Sequence, residues 1–440
     1  MDWQRLISDR RLGLEEWHDE TTQMRSDFQR DYDRMIFSSP FRRMQNKTQV
    51  FPLPGSVFVH NRLTHSLEVS TVGRSISREV LMRLYNQNSD PELYKILQHI
   101  PDIVATACLC HDLGNPPFGH SGEKTISTWF SEGPGRELQK YLSLKQWADL
   151  INFEGNANSF RLLTHQFVGR RKGGFAMTYS TLGTLVKYPW TSLNAGEKGK
   201  FGFFESEEES YRKVAEWLGI PELQDGVFAR HPLVYLMEAA DDICYQIMDI
   251  EDAHRLSILS TQEATEALLA FFEEPKRSKL QRGMAHLDDP NEKISYLRSN
   301  VIGSLVEHTA DSFVHNLPAI MDALPVGALV DLNPPLLREA YKACSEIAFS
   351  RIYCAPSVVD VDLAGNRIIE YLLDVLMEAV LHPEKNYSQL LLTKMPRQYD
   401  FNASTLYGRI QAVLDHVSGM TDVYALDLFR KLNGHSLPAV

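Results

Sequence analysis

No uninterrupted apolar run in the 440 residues approaches the roughly 20 that a membrane span requires, so a chain without a membrane segment is expected. Positive charge is also in short supply. Forty-five lysines and arginines face 57 aspartates and glutamates, a formal charge of −12. No basic excess is left to release counterions from a phosphate backbone, so strong general nucleic-acid affinity is excluded and only a local basic groove stays open. Cysteine is scarce: Cys108, Cys110, Cys244, Cys344 and Cys354 are scattered, and none forms a CxxC pair. That usage suits reduced, buried thiols in a cytoplasmic protein. The opening "MDWQRLISDR" sets no apolar stretch behind positive charges, so no secretory signal is expected. Internal repeats and low-complexity tracts are absent, and strand signals are few. At 43 % apolar and 23 % charged, the composition is that of an ordinary globular chain.

Helical periodicity is what the sequence has in quantity. After Asn61, a residue suited to cap a helix, Val69, Val72, Ile76, Val80 and Leu84 recur at spacings of three and four and trace one face. "PDIVATACLC" (101–110) opens with proline and is apolar nearly all round, the pattern of a buried helix. "HPLVYLMEAADDICYQIMDIEDAHRL" (231–256) predicts a long helix starting near Pro232, and "NRIIEYLLDVLMEAVLHP" (366–383) another that stops at Pro383. Between 171 and 207 the glycine-rich, aromatic stretches fit either a short hairpin or a long loop. The expected fold class is all-α: an N-terminal helical segment over 1–40, a helical core over 41–255, and further helices over 256–440 packed on it.

Chemistry concentrates in "HDLGNPPFGH" (111–120). Gly114 and Gly119 have the spacing of a phosphate loop, but His120 stands where the lysine is required and the turn follows a helix rather than a strand. A metal site fits better. His111 and Asp112 end a buried helix, where both side chains can turn toward one ion. His65, near the start of the preceding helix, and Asp241, an acid on the apolar face of a later one, supply two more ligands. A lone buried carboxylate is costly unless paired or bound to metal. Two imidazoles and two carboxylates suit one divalent Mn, Mg, Ni, Fe or Zn ion without choosing among them. His120 stands three residues before Glu123, a spacing at which helical side chains meet, so Glu123 can orient and charge the imidazole for acid–base work.

The order H…HD…D resembles the HD-domain metal phosphohydrolases, an all-α superfamily. "RLTHSLEV", "HDLGNPPFGHSGE", "FEGNA", "TLVKYPW", "EAADDICY" and "SGMTDVYAL" together are similar to the bacterial dGTPase-type deoxynucleoside triphosphate triphosphohydrolases, relatives of the vertebrate SAM/HD-domain dNTPase. The blocks run from about 40 to 426, most of the chain, which would make 41–255 the HD core. The resemblance implies metal-dependent hydrolysis of dGTP or other 2′-deoxynucleoside triphosphates at the α-phosphorus, releasing deoxynucleoside and triphosphate. His65, His111, Asp112 and Asp241 would hold the metal, and His120 with Glu123 would be catalytic. Tyr245 and Asp249, one and two turns beyond Asp241, would sit against the sugar, where a tyrosine ring over C2′ leaves no room for a 2′-hydroxyl. Gln45 would bond the 3′-hydroxyl. Arg62, Lys187 and Tyr188 would meet the phosphates, with Asn156 beside the active site. Arg42, Arg43 and Lys47 would serve that pocket or a second, regulatory nucleotide.

The resemblance also implies a homo-oligomer, tetramer or hexamer, and leaves single-stranded DNA open as a partner. Two other readings stand beside it: an HD phosphatase acting on nucleoside monophosphates or cyclic nucleotides, and a non-catalytic HD scaffold that binds nucleotide or a partner helix.

Overall fold

Asn61 begins the helix around which the protein is organised. Its side chain accepts from the Thr64 amide and the Thr64 side chain answers back to the Asn61 amide, a reciprocal cap that opens helix Arg62–Asn88. In the computed structural model, which describes residues 1–16, 24–51 and 59–436, all five residues of the expected stripe from Val69 to Leu84 are buried. They pack against helix Ile100–Cys110 and helix Val234–Arg255. Helix Ile100–Cys110 lies within the core, with Asp102 its one residue not fully buried. Burying each such aliphatic side chain contributes roughly 1.5–3 kcal/mol, so this packing anchors the helix in the core. It ends at His111.

The protein is predominantly α-helical, as expected. Among the described residues the strands are Glu222–Gln224 and Val227–Phe228, an antiparallel hairpin turning at Gly226. The hairpin thus lies outside 171–207. That stretch is instead irregular, holding helix Tyr179–Leu185 and two 3₁₀ turns, and it meets the hairpin through one bridge between Trp190 and Val227. Helix Val234–Arg255 starts two residues after Pro232, and helix Pro356–Leu381 starts ten residues before Asn366. The second difference has a plain cause. Pro356 is the start signal, but the first turns are exposed and carry no apolar stripe to read.

Two apolar cores run through the molecule, and neither follows one stretch of chain. The first joins the N-terminal helices, helices Arg62–Asn88, Ile100–Cys110 and Val234–Arg255, and the chain from Leu259 to Val358. The second joins helix Gly119–Ser131 and Leu150–Ala157 to helices Pro356–Leu381 and Leu406–Ser418. "HDLGNPPFGH" is the passage from one core to the other. No helix among the described residues is long and apolar enough to cross a membrane.

Candidate metal centre and acid–base pair

Three side chains from three helices converge at the junction. His65, His111 and Asp241 each offer an atom within 4.8 Å of the others. His65 Nε2 lies 3.1 Å from Asp241 Oδ1, and His111 Nε2 lies 3.4 Å from the same oxygen. Nδ1 of His111 stands 2.6 Å from the Cys108 carbonyl, which can only accept, so Nδ1 carries a proton and Nε2 is the nitrogen turned toward the cluster. That buried Nε2 has no hydrogen-bond partner. A carbonyl-oriented imidazole with its other nitrogen free is how histidines are commonly prepared for metal, so the donor set fits a divalent cation.

Asp112 stands beside the three rather than among them. Its Oδ1 is 3.6 Å from His111 Nε2 and takes the Asn115 side-chain amide at 2.6 Å; its Oδ2 takes Arg62 at 2.7 Å. Burial pushes the Asp112 carboxyl upward, but Arg62 and the two histidines hold it below the ordinary range. Asp241 is held well below that range, His111 and His65 outweighing its burial. His111 is raised to about 9, burial opposing its charge while Asp112 and Asp241 favour it. The cluster therefore sets two ionised carboxylates against two imidazoles and the Arg62 guanidinium.

Arg62 connects this cluster to the second constellation. One arm of its fork holds Asp112, and the other lies 2.5 Å from where a Cβ on Gly119 would sit. Gly119 also has φ +59°, a conformation glycine adopts without strain. Its successor His120 opens helix Gly119–Ser131 and places Nδ1 2.8 Å from Glu123 Oε2. The ring is 75 % exposed, whereas the carboxylate is 9 % exposed. The hydrogen bond that His120 donates to Glu123 raises the ring above its ordinary value, and His120 in return holds the buried Glu123 low against burial. The other Glu123 oxygen accepts the Gly155 amide at 2.8 Å, so "FEGNA" braces the pair from behind.

Asn156 donates to Glu154 Oε1 at 2.5 Å, and Glu154 Oε2 meets Lys200 Nζ at 2.6 Å. Lys200, in the glycine-flanked "GKFGFF", escaped the sequence reading, yet its charge acts on both Glu123 and His120. Lys187 Nζ lies 3.4 Å from Glu238 and 5.7 Å from the Tyr188 ring centroid. Burial works against its charge, but Tyr188, Asp242, Glu238 and Asp241 keep it firmly protonated.

Along helix Val234–Arg255, Asp241, Tyr245 and Asp249 follow at intervals of four, roughly 12 Å from end to end. Asp249 is buried, and burial pushes its carboxyl up to about 7. Tyr353 donates to it at 2.7 Å, and the Tyr353 ring centroid lies 6.0 Å from that of Tyr245. No periodic signal could have revealed Tyr353, because it closes the π-helical turn Ala348–Ile352.

Gln45 sits exposed on the turn Met44–Asn46. Four residues on, Gln49 has a buried Oε1 without a hydrogen-bond partner. Arg42 is exposed and donates to the Phe37 carbonyl, while Arg43 lines a cavity of about 390 Å³ with Tyr399, His416 and Tyr424. Lys47 serves neither pocket. Its ammonium is fully buried on the Asn115 and Ser418 carbonyls.

An H…HD…D cluster on an all-α core defines an HD-domain protein, and the family profile described as HD domain matches residues 62–153, with a phosphohydrolase-associated domain matching 333–431. Relatives extend over the full length. The chain is 37 % identical to a deoxyguanosinetriphosphate triphosphohydrolase-like protein of Pseudomonas aeruginosa, covering 100 % of both chains. It is 35 % identical to one of Synechocystis sp., over 99 % of this chain and 100 % of the relative. A deoxyguanosinetriphosphate triphosphohydrolase of Yersinia enterocolitica is 32 % identical over 92 % of this chain and 93 % of its own. The chain belongs to the deoxyguanosinetriphosphate triphosphohydrolase-like family and is a phosphohydrolase of that nucleotide triphosphohydrolase lineage.

Proposed function

We propose that the protein hydrolyses 2′-deoxynucleoside triphosphates, dGTP among them, to the deoxynucleoside and triphosphate. The observation that carries this reading is an exposed imidazole on a buried carboxylate, set one guanidinium away from a convergent His–His–Asp cluster. His65, His111 and Asp241, with Asp112 beside them, would hold a divalent cation. When bound, such an ion neutralises and polarises the α-phosphate.

The remaining work falls to this chain's own groups. Glu123 favours the charged form of His120, so the ring can act as the acid that gives its proton to O5′ as water adds to the α-phosphorus and the P–O5′ bond breaks. The water's own proton leaves with the triphosphate or to solvent. Arg62, with one buried nitrogen unpartnered, supplies a planar donor to phosphate, and Lys187 and Lys200 add fixed charge at either side. The Tyr245–Tyr353 ring pair with Asp249 walls the sugar end, a surface suited to a 2′-deoxyribose. Tyr188 and Asn156 complete the phosphate side.

Incubation with dGTP, dATP and GTP in the presence of Mn²⁺, followed by ion chromatography of the phosphates, tests the reading. Tripolyphosphate from the deoxynucleotides and none from GTP is expected. Release of orthophosphate or pyrophosphate overturns it.

A further inference from the structure

The turn that launches the His120 helix holds two left-handed residues in succession, Phe118 (φ +61°) and Gly119 (φ +59°). Glycine adopts this conformation freely, but a bulky aromatic residue does so only where its surroundings impose it. Phe118, the cap residue of helix Gly119–Ser131, makes no side-chain capping bond to it. Something else must hold the backbone there.

What holds it comes from 304 residues away. Asp422, a buried acid in the first turn of helix Asp422–Leu432, accepts the Phe118 amide at 3.0 Å on Oδ1. Its Oδ2 accepts both the amide and the hydroxyl of Thr48, at 2.7 and 2.5 Å. The neighbouring Lys47 repeats the connection, its ammonium donating to Asn115 O at 2.6 Å and Ser418 O at 2.7 Å. The Phe118 ring is seated on Gly365 of helix Pro356–Leu381, where a Cβ would lie 2.6 Å from the phenyl Cγ. None of these contacts involves His65, His111 or Asp241, whose partners lie elsewhere.

We infer that Asp422 is a positioning residue for the acid–base pair: by fixing Phe118 in its left-handed turn, the C-terminal helix aims His120 at the departing oxygen. The inference rests on the acid role proposed for His120. Because Asp422 bonds Phe118 and Thr48 and touches none of His65, His111 and Asp241, its loss is expected to affect turnover more than cation binding.

The test uses the full-length protein with Asp422→Asn, which cannot accept both amides, and Gly365→Ala, which pushes on the Phe118 ring from the opposite side. Each is measured for kcat and KM of tripolyphosphate release, for Mn²⁺ affinity by calorimetry, and for the His120 ring resonances by NMR. Misplacing a catalytic group by about an ångström costs on the order of 10²-fold, so kcat is expected to fall roughly 10–100-fold. KM and the Mn²⁺ Kd should stay within about twofold while the His120 resonances shift. Thr48→Val, which leaves the Phe118 bond in place, should lose less. Unchanged kcat in both variants overturns the inference, as does a loss of Mn²⁺ affinity in step with kcat. If Asp422→Asn does not fold, Gly365→Ala decides alone. A wild-type protein that releases no tripolyphosphate defeats the functional reading instead, and the His120 resonances then still report whether Asp422 sets the turn.

Discussion

His120 and Glu123 differ sharply in exposure: the ring is open to solvent, and the carboxylate behind it is shut away from water. Replacing His120 with alanine should leave Mn²⁺ affinity intact while lowering kcat about 10²–10⁴-fold, the span usual for an acid–base group. Steady-state assays paired with calorimetry check both halves, and turnover at the wild-type rate would remove His120 from the mechanism. At this scale the sequence was legible where spacing carries chemistry. His65, His111 and Asp241, three of the four residues read from H…HD…D, lie together with Asp112 beside them on Arg62 and Asn115, and the i, i+3 pair forms. It was silent where chemistry depends on burial. Gln45 and Gln49 are equivalent letters four places apart, yet one is exposed and the other keeps an unpartnered oxygen in the interior. Tyr353 and Lys200 lie outside any periodic pattern.

Between elements, the decisive joint is the one that brings helix Arg62–Asn88 to helix Val234–Arg255. His60, just before the first, stands 2.8 Å from Asp252 and 3.1 Å from Glu68. Burial opposes a charge there, but those two carboxylates, with hydrogen bonds to both ring nitrogens, raise His60 from 6.5 to about 10. The folded value lies above the unfolded one, so the joint stabilises fully below about pH 6.5 and loses that contribution as pH rises through about 10. Chemical denaturation of wild type and His60→Gln should therefore differ most at pH 6 and least near pH 10. A gap that ignores pH would mean that His60 acts by packing alone. Helices with a continuous buried stripe could be read directly, as Val69 to Leu84 shows. The start of helix Pro356–Leu381 and the place of the hairpin could not, because exposed turns and strands of two or three residues carry no periodicity.

For the molecule as a whole, a cation that binds the folded chain and not the unfolded one stabilises it by RT ln(1 + [L]/Kd), about 2.7 kcal/mol at a hundred times Kd. Thermal unfolding with Mn²⁺ against EDTA should show that increment in wild type and in His120→Ala, and should not show it in His65→Ala. Equal melting temperatures for wild type under both conditions would mean that the His–His–Asp cluster takes no cation. All-α character followed from composition and period, but the interlacing of the two cores did not, since it joins residues hundreds of positions apart.

That interlacing gives the chain a history as it is made. The three converging side chains have all been synthesised once residue 241 is added, whereas the carboxylate that steadies Phe118 follows some 180 residues later, at 422. A chain cut short before 422 would keep His65, His111 and Asp241 and lose the carboxylate that holds the turn ahead of His120.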